Sequence, residues 1–253
     1  MELAGKSAIV VGGASGMAKA TAELFVQKGA SVAILDRPQS AGADVAGALG
    51  GTFHPVDVTD DEGTETAIDA AVEALGGSLH ISVNTAGGGI GKRTLTKEGP
   101  HPLGEFRQTI ELNLISSFNV CRLAAAHMAR NEPEDDERGV IINTASIAAF
   151  EGQIGQVAYT AAKAGIAGMV FTMARDLGGL GIRSLAIAPS LFATGAVARI
   201  PAEMATALTR DAAFPKRMGR PEEYAKLALA IVDNPMLNGQ CLRLDAGQRF
   251  GPK

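Results

Sequence analysis

The stretch that decides the fold is residues 10–20, VVGGASGMAKA. An apolar run, GKSAIVV, precedes glycines at 12, 13 and 16, and a helix-like segment follows them. A strand, a glycine turn and a helix in this order are typical of a loop that wraps a dinucleotide pyrophosphate, because the helix N-terminus offers N–H groups and a positive dipole end. We expect Gly12 to permit the tight turn and Gly16 to permit close approach of backbone and phosphate.

Short apolar segments alternate with longer amphipathic segments along the whole chain. Strands are predicted at 6–11, 31–36, 52–56, 79–84, 139–145, 182–188 and 240–245, several of them apolar on both faces. Helices are predicted at 16–28, 38–49, 60–75, 103–130, 157–178 and 221–233, with Asp60 as an N-cap and Pro221 at a helix start.

This alternation predicts the α/β fold class: a single-domain Rossmann fold with a doubly wound, seven-stranded parallel sheet flanked by helices. We expect one domain over residues 1–253, with a cofactor half at about 1–145 and a catalytic and substrate half at about 146–253. Ligands of such sheets bind outside the carboxyl ends of the strands, so functional residues are expected directly after each strand.

Composition restricts the class of partner. The 253 residues are 46% hydrophobic and 20% charged, with a mean hydropathy of +0.13, which is typical of a soluble globular domain. A net charge of −4 and a pI near 5.6 disfavour nucleic acid and anionic membrane surfaces, which need a basic footprint. We expect no membrane helix, because we find no apolar run of the roughly 18 residues that one needs, and we expect no leader before the first strand. We expect a cytoplasmic protein with a small-molecule substrate.

The thiols and imidazoles show no metal-binding spacing. Cys121 and Cys241 form no CxxC pair, so two buried thiols are expected instead of a disulfide or a thiolate site. No HxxxH or HExxH pattern links the four histidines, which are His54, His80, His101 and His127. We expect no metal.

The acidic residue that ends the second strand indicates the cofactor. Asp36 lies 20 residues beyond Gly16, the distance at which a carboxylate meets the adenine-ribose hydroxyls. A carboxylate there repels a 2′-phosphate, so Asp36 favours NAD over NADP. Arg37 leaves NADP open, because a guanidinium in that corner pairs with the phosphate. The third and fourth strands end in Asp57-Val58 and Asn84-Thr85-Ala86-Gly87, which are also ordinary turn residues.

A catalytic set follows the fifth predicted strand. Ser146 comes directly after it, and Tyr159 precedes Lys163 by four residues in a predicted helix, which puts phenol and ammonium on one face. An adjacent ammonium and a nicotinamide cation stabilise phenolate, so Tyr159 would become a general base. Ser146 would hydrogen-bond the substrate oxygen. Asn113 would interrupt the long helix and pass protons by water, or be a plain polar residue within it.

Together these motifs resemble the classical short-chain dehydrogenase/reductase family over essentially the whole chain. They are Gly12-x-x-x-Gly16, Asp36, Asn84-x-Ala86-Gly87, Asn113, Ser146 and Tyr159-x-x-x-Lys163. Residues 131–133, 139–169, 187–194 and 234–245 are most similar to the type-2 3-hydroxyacyl-CoA dehydrogenase branch. Members of that branch oxidise the 3-hydroxyl of acyl-CoA thioesters with NAD and also act on hydroxysteroids.

The resemblance implies roles for individual residues and a homotetramer. The catalytic residues implied are Tyr159 as base, Lys163 as its activator, Ser146 and Asn113. The substrate would contact Ser146, Gln156 and Tyr159. The NAD-binding residues implied are Gly12, Ser15, Gly16, Met17, Asp36, Asp57, Val58, Thr85, Ala86, Gly87, Tyr159, Lys163, Pro189, Phe192 and Thr194.

Three positions depart from the family pattern. Val11 replaces a usual threonine, Ala18 a usual glycine, and Ser190 stands where a Pro-Gly pair would follow the sixth strand. Ala18 predicts a slightly wider contact between the first helix and its strand, because a methyl is a small intrusion. Pro189-Ser190 must approach the nicotinamide without the conformational freedom of glycine.

The substrate region leaves several alternatives open. Loop 88–102 carries Lys92, Arg93 and Lys97, which would meet coenzyme A phosphates or belong to a solvated loop. Residues 190–218 are predicted to form a lid that suits an acyl chain or a steroid equally. The leading hypothesis is an NAD-dependent 3-hydroxyacyl-CoA dehydrogenase. The alternatives are a hydroxysteroid dehydrogenase, an NADPH-dependent 3-oxoacyl thioester reductase, and a non-catalytic dinucleotide sensor.

Overall fold

The computed structural model describes residues 1–195 and 200–251. Its strands are β1 (Ser7–Val11), β2 (Ser31–Asp36), β3 (Thr52–Pro55), β4 (Ile81–Asn84), β5 (Leu95–Thr96), β6 (Gly99–Pro100), β7 (Gly139–Thr144), β8 (Ile182–Pro189) and β9 (Cys241–Leu244). Seven of them form one parallel sheet in the order β3-β2-β1-β4-β7-β8-β9, which confirms the predicted fold class and each predicted strand. β5 and β6 form a separate antiparallel pair within loop 88–102, which the sequence did not predict.

The helices are α1 (Gly16–Gln27), α2 (Gly42–Leu49), α3 (Asp61–Ala74), α4 (Leu103–Ile110), α5 (Ser116–Met128), α6 (Val157–Gly178), α7 (Ala202–Leu208) and α8 (Pro221–Asp233). Local signals fix several helix starts. The Asp60 carboxylate accepts a hydrogen bond from the Gly63 N–H at 3.0 Å, so the predicted N-cap is confirmed. Pro221 occupies the first turn of α8, and Glu223 accepts from the backbone N–H of Arg220 at 2.8 Å, which closes the helix start.

The helix predicted over 103–130 is not regular throughout: it is interrupted at Asn113, one of the two alternatives that the sequence left open. A π-helical segment, Glu111–Ile115, separates α4 from α5. Asn113 lies at its centre and is completely buried, and its amide donates back to the carbonyl of Thr109 at 2.8 Å. A side chain that bonds to the preceding turn and to another loop competes with regular helical hydrogen bonding.

Two apolar cores lie on opposite faces of the sheet, because successive strand residues point to opposite sides. Val10 and Ile142 pack in the core beneath α1 and α8. Ile9 and Ile141 pack in the other core, beneath α3 and α5. Ala18 is completely buried in the first core, and the wider contact expected there stays a prediction.

Helix α6 runs along β8 and carries Tyr159 and Lys163. Its buried residues, including Ile166 and Val170, form a third apolar cluster with Ala186 and Ala188 of β8. By length and composition alone α6 is apolar enough to cross a membrane, so the expectation that no segment reaches that length is wrong.

The two thiols differ in environment. Cys121 is completely buried and exchanges hydrogen bonds with the amide of Asn143, and burial raises the pKa of its thiol to about 12. Cys241 is only half-buried, so the expectation of two buried thiols holds for one of them. Across residues 1–195 and 200–251, no three His, Cys, Asp or Glu side chains cluster as a metal site.

Candidate active site

A cavity of about 550 Å³ lies at the carboxyl ends of β1, β2, β4, β7 and β8. This is the edge at which parallel sheets bind ligands. Every residue that we expected to hold NAD lines it, and so does Ser146. Asn113 and Gln156 lie outside the lining. Sequence reasoning had not picked out several other lining residues, among them Gly88, Leu112, Thr144 and Leu191.

The turn after β1 requires glycine at two positions. Gly12 has φ +79°, and a Cβ built on it would lie 2.7 Å from the hydroxyl oxygen of Thr85. Gly16 has φ +55°, and a Cβ there would lie 2.9 Å from the methyl carbon of Thr194. Ser15 precedes α1 without a side-chain cap, so the first N–H groups of α1 are available at the cavity. This cradle fits a pyrophosphate.

Asp36 anchors the loop from the neighbouring strand. Its carboxylate accepts hydrogen bonds from the N–H of Ala14 at 2.9 Å and of Arg37 at 2.7 Å. Asp36 is half-buried and borders the cavity, as does the exposed Arg37. Both groups that bear on the choice of cofactor therefore lie at the cavity. They are the Asp36 carboxylate, which favours NAD, and the Arg37 guanidinium, which leaves NADP open.

Asp57 and Val58 line the cavity near Asp36. The Asp57 carboxylate accepts from the backbone N–H of Thr59 at 3.0 Å and from its hydroxyl at 2.8 Å. These bonds lower the pKa of Asp57. Val58, the next residue, is buried. The Asp57 turn therefore presents a fixed negative group beside an apolar wall.

Ser146, Tyr159 and Lys163 meet at the other end of the cavity. Ser146 follows β7 and hydrogen-bonds the Tyr159 hydroxyl. The Lys163 ammonium lies 5.6 Å from the centre of the Tyr159 ring and donates to the carbonyl of Thr144 at 2.8 Å. The i, i+4 spacing of α6 thus brings phenol and amine to one point, as the sequence predicted.

Burial shifts both groups toward their neutral forms. It raises the pKa of Tyr159, which the hydrogen bond from Ser146 offsets only in part. It lowers the pKa of Lys163 to about 8. The sequence assigned a lowered phenol pKa to an ammonium together with a nicotinamide cation, and that lowering stays a prediction.

Asn113 holds the backbone that passes beside Tyr159 and Lys163. Its amide donates to the carbonyl of Gly88 at 2.6 Å, and its side-chain oxygen accepts from the Gly88 N–H at 3.1 Å. A Cβ on Gly87 would lie 2.6 Å from that oxygen and 3.2 Å from Nζ of Lys163. A Cβ on Gly89 would lie 2.9 Å from Cδ2 of Tyr159. The glycine run 87–89, of which only Gly87 was expected at the site, lets the backbone pass between these side chains.

Gln156 occupies a structural position. It is the N-cap of α6, and its side-chain oxygen accepts from the N–H of Gln153 at 3.0 Å. The adjacent loop and Arg93 line a second cavity of about 670 Å³, which also lies against Thr160. Lys92 pairs with Glu105 at 3.0 Å, so its charge is already engaged, whereas Arg93 is exposed.

The segment after β8 lines the same cavity. Pro189 is buried, and the Ser190 N–H donates to the carbonyl of Leu244 at 3.1 Å, which ties the segment to β9. Phe192 is buried and Thr194 lies against Gly16. The predicted lid 190–218 contains α7, and its residues 196–199 lie outside the described part of the chain.

Comparison with known proteins agrees with this geometry. A family model described as enoyl-(acyl carrier protein) reductase matches residues 12–249. Human 3-hydroxyacyl-CoA dehydrogenase type-2 is 46% identical over 253 residues, which cover 98% of this chain and 97% of the relative. The chain belongs to the short-chain dehydrogenase/reductase family.

Two solved structures of the family share the fold over the whole chain. The crystal structure of 3-hydroxyacyl-CoA dehydrogenase type-2 from Mycobacterium avium superposes with a TM-score of 0.94 at 40% identity and covers 100% of both chains. A 7 alpha-hydroxysteroid dehydrogenase complexed with NADH and 7-oxo glycochenodeoxycholic acid has a TM-score of 0.85 at 30% identity, covering 100% of this chain and 97% of that one. The expected family resemblance is confirmed.

Proposed function

We propose that this short-chain dehydrogenase/reductase is an NAD-dependent oxidoreductase that interconverts (S)-3-hydroxyacyl-CoA and 3-oxoacyl-CoA. One observation carries the proposal: Ser146, Tyr159 and Lys163 converge at one end of a cavity whose other end is formed by the Gly12–Gly16 turn and Asp36. An alcohol that lies against Tyr159 would face the nicotinamide end of a dinucleotide held by that turn. The arrangement suits the exchange of a hydride and a proton.

The cofactor half would hold NAD through backbone and carboxylate groups. The N-terminus of α1 would bind the pyrophosphate, and the Asp36 carboxylate would accept hydrogen bonds from the adenine-ribose hydroxyls. Lys163 would hold the nicotinamide ribose, and the segment Pro189–Thr194 would contact the nicotinamide. When bound, NAD supplies a hydride acceptor with a positive charge on its ring.

Each catalytic residue handles the substrate oxygen or its proton. Ser146 donates a hydrogen bond to that oxygen and stabilises the negative charge that develops on it. The Tyr159 phenolate removes the hydroxyl proton as general base. Lys163, held by the Thr144 carbonyl, stabilises the phenolate by its charge. Asn113 fixes the Gly88 backbone and supports the route by which the proton leaves.

The relatives support the acyl-CoA substrate. Proteins named 3-hydroxyacyl-CoA dehydrogenase type-2 match over nearly the full length of both chains. A hydroxysteroid is the second candidate, because a family member at 30% identity binds a 7-oxo bile acid. A 3-oxoacyl thioester reductase that uses NADPH is the third, because Arg37 borders the cavity. A non-catalytic sensor would need the glycine turn but not the Ser146, Tyr159 and Lys163 set.

The proposal also covers the oligomeric state, the cellular location and the domain organisation. A homotetramer is supported by large apolar side chains left exposed on α5 and α6, among them Phe118, Val157 and Phe171. A cytoplasmic location, with no nucleic-acid or membrane partner, is supported by the net charge of −4. The chain would act as a single domain, residues 1–253, in which segment 190–218 closes over the substrate.

A substrate panel tests the proposal. Purified protein is assayed with acetoacetyl-CoA and NADH, with acetoacetyl-CoA and NADPH, and with a 7-oxo steroid and NADH. We expect the first pair to give the highest kcat/KM. No turnover of acetoacetyl-CoA together with clear steroid activity, or activity with NADPH alone, would reject the proposal.

A further inference from the structure

A buried chain of hydrogen bonds leads from α8 to Lys163. Tyr224 on α8 is completely buried, and its hydroxyl lies 2.7 Å from the hydroxyl of Thr144. Thr144 is the last residue of β7, and its hydroxyl lies 2.8 Å from the carbonyl oxygen of Asn84. The backbone carbonyl of the same Thr144 accepts the hydrogen bond from Nζ of Lys163 at 2.8 Å. Tyr224 is therefore linked to the lysine through one residue.

The direction of each bond follows from the groups involved. A backbone carbonyl can only accept hydrogen bonds, so the Thr144 hydroxyl donates its one hydrogen to the carbonyl of Asn84. The bond with Tyr224 therefore has the phenol as donor. Burial raises the pKa of Tyr224, so this phenol keeps its proton at every pH at which the protein would work. Tyr224 is a permanent donor and not a second titrating base.

Thr144 connects two layers of the fold. Val140 and Ile142, which share its face of β7, pack with Tyr224 in the core beneath α1 and α8. Lys163 comes from α6, whose neighbouring residue Ile166 packs in a cluster on the other face of the sheet. The side-chain bond to Tyr224 and the carbonyl that accepts from Lys163 of α6 therefore belong to one residue.

We propose that Tyr224 is a positioning residue for Lys163: its hydroxyl holds Thr144 so that the Thr144 carbonyl keeps the ammonium beside Tyr159. This inference rests on the proposed function, in which Lys163 assists Tyr159. It concerns a residue of α8 that lies outside the cavity lining.

The groups around Lys163 are neutral, so its charge depends on hydrogen bonding. Tyr159 faces it from α6, the Thr144 carbonyl from β7, and Gly87 from the segment after β4, with the Asn113 amide behind. Among the described residues, no charged side chain shifts the pKa of Lys163 or Tyr159. A carbonyl that accepts from the ammonium favours the charged amine. Loosening Thr144 therefore lowers the charged fraction of Lys163 and weakens its support of the phenolate.

The first experiment compares the pH profile of kcat/KM for Tyr224→Phe with that of the wild type, in the direction of alcohol oxidation. We expect the pKa of the acid limb, which reports ionisation of Tyr159, to rise by about half a pH unit. The pKa of the alkaline limb, which reports loss of the Lys163 charge, should fall by about the same amount. Ile231→Val is the matched control, since Ile231 is completely buried in the same core on the same helix. It should lower Tm without moving either limb. A Tyr224→Phe profile that superimposes on the wild type, with a lowered Tm, would assign Tyr224 a structural role only.

Variants of Thr144 test the same link from the strand. Thr144→Val should reproduce the narrowed profile, and Thr144→Ser, which keeps the hydroxyl, should restore it. In a Thr144→Val background, Tyr224→Phe should produce no further change, because the bond is already lost. Full additivity of the two changes would contradict the proposal.

The chain also offers a readout that needs no catalysis. It has two tyrosines and no tryptophan, so in Tyr224→Phe the tyrosinate absorbance reports Tyr159 alone. With saturating NAD bound, so that the phenol titrates while Lys163 is still charged, we expect its ionisation midpoint to lie about half a pH unit above the first step of the wild type. An unchanged midpoint would refute the positioning role. Lys163→Met separates the two proposals: if it leaves turnover and pH profile unchanged, the role of Lys163 in the proposed function is refuted.

Discussion

Replacing Asp36 tests the cofactor assignment most sharply. In the protein its carboxylate accepts from the N–H of Ala14 at 2.9 Å and of Arg37 at 2.7 Å, so it is held at the mouth of the cavity. Asp36→Ala removes both the charge and the acceptors. Asp36→Asn keeps an acceptor for the Ala14 N–H and removes only the charge, so the pair of variants separates the two effects.

The size of the effect follows from the hydrogen bonds that the carboxylate offers. Hydrogen bonds to a charged acceptor contribute about 1.5–3 kcal/mol each when buried. Asp36 is half-buried, so two bonds to the ribose hydroxyls are worth about 2 kcal/mol together, or about thirtyfold in NAD affinity. Loss of the negative charge should also improve NADP binding, because the 2′-phosphate then meets Arg37 without an opposing carboxylate.

The assay is the ratio of kcat/KM with NAD to that with NADP, together with the Kd of each reduced cofactor. We expect Asp36→Ala to lower the ratio by at least about a hundredfold and Asp36→Asn to produce mainly the gain with NADP. Arg37→Ala is the matched control and should raise the ratio. The reasoning fails if Asp36→Ala binds NAD as tightly as the wild type while its Tm is unchanged.

Three further changes have defined outcomes. Gly89→Ala should lower kcat about tenfold or more with little change in Tm, since the new methyl displaces the Tyr159 ring; equal kcat would refute this contact. Asn113→Ala should lower Tm by several degrees, since buried backbone groups lose partners; a thermal melt decides. Glu223 pairs with Arg217 at 2.7 Å, which lowers its pKa from 4.5 to about 2. The pair therefore stabilises the fold above pH 4.5 and less as pH falls toward 2, so the Tm difference between wild type and Glu223→Gln should shrink across that window, and a constant difference would contradict it.

The strand pattern predicted the fold because parallel strands buried on both faces leave an unambiguous signal. β1, β7 and β8 are buried throughout, and each was found within a residue or two of its predicted bounds. The functional residues follow strand ends, so the topology alone brings Asp36 and Ser146 to one cavity. Spacing along a helix did the same for Tyr159 and Lys163.

The features that the sequence did not reveal depend on contacts between distant residues. The π-helical segment around Asn113 is stabilised by bonds to Gly88, 25 residues away, and periodicity of apolar residues carries no trace of them. β5 and β6 have two residues each, too few for an alternating pattern. The raised pKa of Tyr159 reflects burial, which only the packed structure reveals. The link from Tyr224 to Thr144 joins residues 80 apart, and nothing in either local sequence indicates it.

The most direct test of the account is the oxidation of (S)-3-hydroxybutyryl-CoA by saturating NAD in wild type and Tyr159→Phe. The phenyl ring keeps the packing of α6 and lacks only the group proposed as base. We predict robust turnover in the wild type and a fall in kcat of about a thousandfold in the variant, with an unchanged Tm. Equal kcat in the two proteins would contradict the catalytic assignment at its centre.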